Sequence, residues 1–104
     1  MIRQFEVVRN PNQATRGRVP YLMVLQSHHL HVLATVVVAP LVRSESVQAD
    51  GLVSLSVLFG DESLTLAVGL MANIEQRVLG PSLGSLLDQE FDIRRAIDRL
   101  FTGF

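Results

Sequence analysis

The sequence predicts a mainly β domain: five or so strands in a small twisted sheet or partly open antiparallel barrel, with one helix laid on it at the C-terminal end. Three observations carry this. Short runs rich in Val and Leu, bounded by clusters of Gly, Pro, Asn and Asp, fill the chain as far as Val68. Gly60-Asp61 joins two of those runs as a tight turn, which makes them a hairpin. Near Asp88 the apolar spacing changes to a helical one, with Ile93, Ile97 and Leu100 at i, i+4 and i+7 and Ala96 beside them.

The first strand is expected at Gln4 to Val8, where Gln-Phe-Glu-Val-Val partly alternates and ends β-branched. Arg9 to Pro20 follows with Pro, Gly, Asn and Arg, the composition of a solvated loop. The second strand, Tyr21 to Gln26, has Tyr21, Met23 and Leu25 on one face and Leu22 and Val24 on the other, so both faces are expected to be buried. His28, His29 and His31 then cluster around Leu30. A fixed metal site needs further ligands from elsewhere, and the chain has no Cys, so a strand-end or interface cluster is the expected role and no metal is assigned. The third strand, Leu33 to Ala39, is expected to stop at Pro40, and Val42 to Leu52 reads as polar and irregular with a turn at Asp50-Gly51. Val53 to Phe59 and Ser63 to Val68 are the two strands of the hairpin. Asp61 and Glu62 lie at its tip, where water contact argues against paired catalytic carboxylates. Gly69 to Val78 is a short strand or an irregular link, and Gly80-Pro81 breaks the chain before the helix.

That helix, Asp88 to Phe104, is the stretch the rest is expected to support. Asp88, Glu90 and Asp92 near its start and Arg94, Arg95 and Arg99 further on suit the helix dipole. Gly103 falls where a helix ends in a left-handed residue, followed by Phe104. Chain ends are normally polar, so Phe101 and Phe104 either pack in the core or are offered to a partner.

At 104 residues the chain is expected to be a single domain, spanning 1–104. It is 48% hydrophobic and 18% charged, which leaves apolar area for a second subunit; a symmetric dimer is expected. A formal net charge of −1 argues against a simple electrostatic or sequence-specific nucleic-acid binder. The charge is uneven, however: residues 1–44 hold five Arg against one Glu, and residues 45–93 hold one Arg against eight acids. The longest mostly apolar run, Leu33 to Val42, is far shorter than the roughly 20 residues that span a bilayer. No secretory leader pattern opens the chain, so no membrane association and a cytoplasmic location are expected.

Gln26-Ser27, Pro40-Leu41, Gly60-Asp61-Glu62-Ser63, Gly80 and then Asp92, Ile93, Ala96, Ile97, Phe101 and Gly103 occur in an order and spacing that resembles the CcdB family, the toxins of the CcdA/CcdB toxin–antitoxin pair. The resemblance covers nearly the whole chain. Length differences fall before Gln26 and after the histidines, in connecting segments that tolerate them. It implies an SH3-like barrel with a C-terminal helix, a homodimer, a CcdA-like antitoxin as partner and no cofactor. It also implies poisoning of DNA gyrase, a role in plasmid maintenance that needs no catalytic residue: such toxins enter the breakage-reunion region of the gyrase A subunit and trap cleaved DNA. Carried over position by position, the gyrase-facing residues are His29, Leu30, Asp98, Phe101, Thr102, Gly103 and Phe104. Thr102 stands where the family has a Trp that stacks on gyrase, and His29, Asp98 and Phe104 stand for Ile, Asn and Ile. Phe104 is the candidate to replace the missing ring, two residues along. Beside the gyrase poison stand two alternatives. One is a CcdB-like fold that keeps its antitoxin and has lost or changed its target; the other is a MazF-like mRNA endoribonuclease, for which Arg16, Arg18 and Ser27 are the candidates.

Overall fold

The computed structural model describes residues 2–26, 34–43 and 54–103. Strands β1 (Glu6–Arg9), β2 (Tyr21–Val24), β3 (Thr35–Arg43), β4 (Ser54–Phe59), β5 (Glu62–Ala67), β6 (Ala72–Glu75) and β7 (Gly84–Ser85) precede helix α1 (Glu90–Thr102). They form one 7-stranded antiparallel sheet in the order β4-β5-β3-β2-β1-β7, with β6 also paired to β3. β3 bends it into a half-barrel. One edge of this long strand pairs with β2, while the other takes β6 along Thr35 to Val38 and then β5 along Leu41 to Arg43.

This curl gives the sheet two buried faces. Met23 and Leu25 join Phe5, Val7, Leu41, Leu64, Leu66 and Ile93 in the main core, with Tyr21 packed against it. Leu22 and Val24 fall in a second cluster with Val8, Val36 and Val38 on the opposite face. The two-faced burial expected of the second strand is therefore what the fold uses, and it places β2 at the centre of the molecule.

The expected elements are present, with shifted bounds and two corrections. β3 does not stop at Pro40 but continues to Arg43, which also brings Val42 and Arg43 out of the stretch expected to be irregular. Pro40 pairs with Leu22 on the β2 side, and on the other edge it falls in the gap between the last β6 partner, Val38, and the first β5 partner, Leu41. Without a ladder donor demanded on that edge, a proline is tolerated inside a central strand. The helix begins at Glu90 rather than Asp88, because Leu87–Gln89 is a 3-10 turn. Gly69 to Val78 resolves into β6 between 3-10 turns at Val68–Leu70 and Gln76–Val78. The hairpin β4–β5 closes on Gly60-Asp61 as expected, and Arg43 pairs with Glu62 at its mouth.

Two backbone positions hold the open end of the half-barrel. Phe5 is a non-glycine residue at φ 70° and is only 1% exposed. Its N–H donates to Val24 O at 2.7 Å and its carbonyl accepts from Leu86 N–H at 2.9 Å, so both groups are fixed where β1 leaves the chain start. Gly84 is the other. At φ 156° in β7, a Cβ built on it would lie 2.9 Å from Phe59 Cε1, and that ring sits edge-on to Tyr21 at 5.2 Å between centroids. Gly84→Ala is expected to lower stability by about 1–3 kcal/mol through this overpacking. Thermal melting checks it: the loss should shrink in a Phe59→Leu background, where the clashing ring is gone.

Candidate functional site

Helix α1 is carried on the main core by one stripe. Ile93 and Ala96 are buried, and Ile97 and Leu100 pack partly against the same cluster. The start of the helix is fixed from outside as well. Arg94 Nε donates to Glu90 Oε2 at 2.9 Å, and its guanidinium lies 5.3 Å from the centroid of the buried Phe5 ring, a cation–π contact that ties the helix to the sheet. An expectation that acid precedes base along the helix is met, with Glu90 and Asp92 in the first turn and Arg99 in the last.

At the other end the helix stops in the way its sequence predicts. Gly103 takes φ 81°, and its N–H donates to Arg99 O at 3.0 Å, which satisfies one of the last carbonyls. A side chain at this φ would be strained, so the glycine sets the direction in which the chain leaves. Thr102 Oγ1 donates to Asp98 O at 2.6 Å, so its hydroxyl is turned back onto the helix.

What this end offers is aromatic and exposed. Phe101 is 70% exposed, so of its two expected roles it does not take the one in the core. The reason is geometric. Phe101 follows Ile97 by one turn, so it continues the edge of the apolar stripe past the point where the sheet still covers it. Below its ring lies an apolar groove of ≈ 220 Å3 lined by Leu25, Gln26, Val37, Met71 and Ile97. Gln26 is tied across this groove, its Oε1 accepting from Val37 N–H at 3.2 Å. Asp98, Thr102 and Gly103 are also exposed. Of the residues singled out from sequence, the fold therefore gathers Asp98, Phe101, Thr102 and Gly103 on the last turns of one rigidly seated helix. His29, Leu30 and Phe104, with Ser27, His28 and His31, lie outside the described residues.

The sequence reading missed Phe91. It is 74% exposed, and with Leu87, 57% exposed, it forms an apolar ridge on the outer face of the helix. A signal was available, since Phe91 precedes Ile93 by two residues, about 200° away around a helix whose buried face Ile93 defines. Of the residues proposed for RNA cleavage, Ser27 lies outside the described residues, and Arg16 and Arg18 sit on the loop between β1 and β2. Arg16 Nε donates to Asn10 O at 2.8 Å, which spends that guanidinium on holding its own loop, while Arg18 is exposed on the same loop.

No curated protein matches the chain. A family model described as CcdB protein matches residues 4–103, and so takes in every strand of the sheet and the helix up to its terminal glycine.

Proposed function

The chain belongs to the CcdB family, the toxins of the CcdA/CcdB module, and from that premise we propose that it poisons DNA gyrase by seating the end of α1 on the A subunit and holding the enzyme on cleaved DNA. The observation that carries this reading is Phe101, a large aromatic side chain 70% exposed on the last turn of a helix that Ile93 and Ala96 seat in the core. An exposed ring on a rigid element is pre-organised for binding, because it loses little freedom on docking. Thr102 and Asp98 flank it on the outer face, and Gly103 directs the chain end. His29, Leu30 and Phe104 complete the proposed contact. The toxin acts as a homodimer in the cytoplasm, by binding rather than by chemistry, and a CcdA-like antitoxin relieves it.

A second reading has an observation of its own. Thr102, whose hydroxyl is spent on Asp98 O, cannot supply the stacking contact of the family Trp. Loss of an aromatic anchor costs an interface about 2 kcal/mol or more. On this reading the fold and the antitoxin are kept and the target differs.

The test is a supercoiling and DNA-cleavage assay with purified gyrase, the full chain and a variant truncated before Thr102. Accumulation of cleaved DNA with the full chain alone is the expected result. No cleavage and no inhibition by a folded full chain, which nevertheless binds its antitoxin, would replace the first reading with the second.

A further inference from the structure

Strand β4 ends the sheet, and among the described residues it pairs only with β5. Such an edge leaves backbone donors and acceptors open to another strand. The composition of β4 makes the hazard acute. Ser-Leu-Ser-Val-Leu-Phe is a six-residue segment with no charge, no Pro and no Gly, which is the signature of strands that add to copies of themselves. Ser56 and Leu58 are exposed on it.

The Gln89 side chain occupies this edge at Leu58. Gln89 Nε2 donates to Leu58 O at 3.0 Å, and Gln89 Oε1 accepts from Leu58 N–H at 3.4 Å. A primary amide bonded in both directions to one residue reproduces what the peptide group of a neighbouring strand would do. The helix forgoes something for it. Gln89 is the N-cap residue of α1, yet α1 has no side-chain cap, because the side chain that could supply one reaches across to β4 instead. A Ser, Thr, Asp or Asn would be the usual choice at that position.

We propose that Gln89 is an edge latch: by occupying the outward hydrogen-bonding groups of Leu58 it keeps β4 from pairing antiparallel with β4 of a second copy of this chain. A second copy is the fitting occupant because the strand carries no charge to repel its own image, and because antiparallel self-pairing of one edge closes on a two-fold axis. Backbone direction alternates along a strand, so Ser56 points its groups the same way as Leu58 and extends the ladder once the latch is open. The inference is independent of what the end of α1 binds.

Gln89→Ser separates the latch from fold stability, since serine can cap the helix but is too short to reach β4; Gln89→Ala removes the latch and adds no cap in its place. Amide hydrogen exchange at Leu58 and sedimentation are measured over a concentration series for the full-length protein and both variants. In the native chain Leu58 exchange is expected to be independent of concentration. In both variants it should be on the order of fivefold faster in dilute protein, the loss of about one hydrogen bond. It should become protected again as concentration rises, alongside species larger than the native one. Ser56→Lys added to either variant should abolish the concentration dependence by placing like charges on the paired strands. The proposal is overturned if Gln89→Ser shows neither concentration-dependent protection nor larger species. It is equally overturned if only Gln89→Ala associates, because association then follows lost stability rather than the open edge.

Discussion

Phe5→Ala is expected to lower the unfolding free energy by about 3–5 kcal/mol, the range for emptying a buried phenylalanine site. Phe5→Gly, although it removes one carbon more, should cost no more than the alanine. The side chain is 1% exposed among the largest members of the main core, and its ring also carries the Arg94 guanidinium at 5.3 Å. Both substitutions lose these contacts equally. They differ in the backbone, where φ 70° strains any residue with a Cβ by about 1–2 kcal/mol and a glycine hardly at all. That relief opposes the entropy that glycine gains in the unfolded chain, about 0.5–1 kcal/mol. Denaturant titration of the two variants reads the difference directly. If Phe5→Gly is less stable than Phe5→Ala by more than about 1 kcal/mol, the left-handed backbone at this position is not what the folded protein adopts in solution.

The strain at Phe5 also explains a misplaced boundary. The sequence places the first strand from Gln4, and its apolar content is real, since Phe5, Val7 and Val8 are all buried. A left-handed residue interrupts the run, however, and alternation alone cannot show a φ that only tertiary contacts to Val24 and Leu86 hold in place. Pro40 is the same lesson in reverse. Proline is read as a strand terminator because it lacks a donor, and the residue is harmless here only because β6 and β5 leave a gap opposite it. Strands β6 and β7, four and two residues long, carry little apolar signal because they lie at the surface of the sheet and are held by backbone bonding. The hairpin, the two-faced β2 and the helix with its terminal glycine were legible because their periodicity and turn chemistry are local. At the candidate site the apolar spacing correctly identified which helical residues are buried. It did not show where along the stripe the sheet ends, and that decides the exposure of Phe101.

Phe101→Ala is expected to raise the concentration needed to trap gyrase-cleaved DNA about 30-fold or more, the equivalent of about 2 kcal/mol for a central aromatic anchor. The same substitution should leave stability within about 0.5 kcal/mol, because the ring is 70% exposed and little of it is packed in the folded chain. Phe91→Ala serves as the matched control. Its ring is 74% exposed, but it lies ten residues earlier, about 15 Å along the helix axis, and should not change potency. Thr102→Trp should act in the opposite direction. The position is exposed on the last turn, so an indole is accommodated without repacking, and among the described residues the hydrogen bond it gives up is that of the hydroxyl to Asp98 O. If gyrase is the target, the added ring restores a stacking surface beside Phe101 and potency rises about tenfold or more. The combination is informative where either variant alone is not. Loss at Phe101 with gain at Thr102 places the contact on the last turn. A chain that is inactive on gyrase and becomes active only as Thr102→Trp retains the geometry of a gyrase poison and has given up its anchor. If Phe101→Ala traps cleaved DNA as well as the native chain does, the end of α1 is not the surface that meets gyrase.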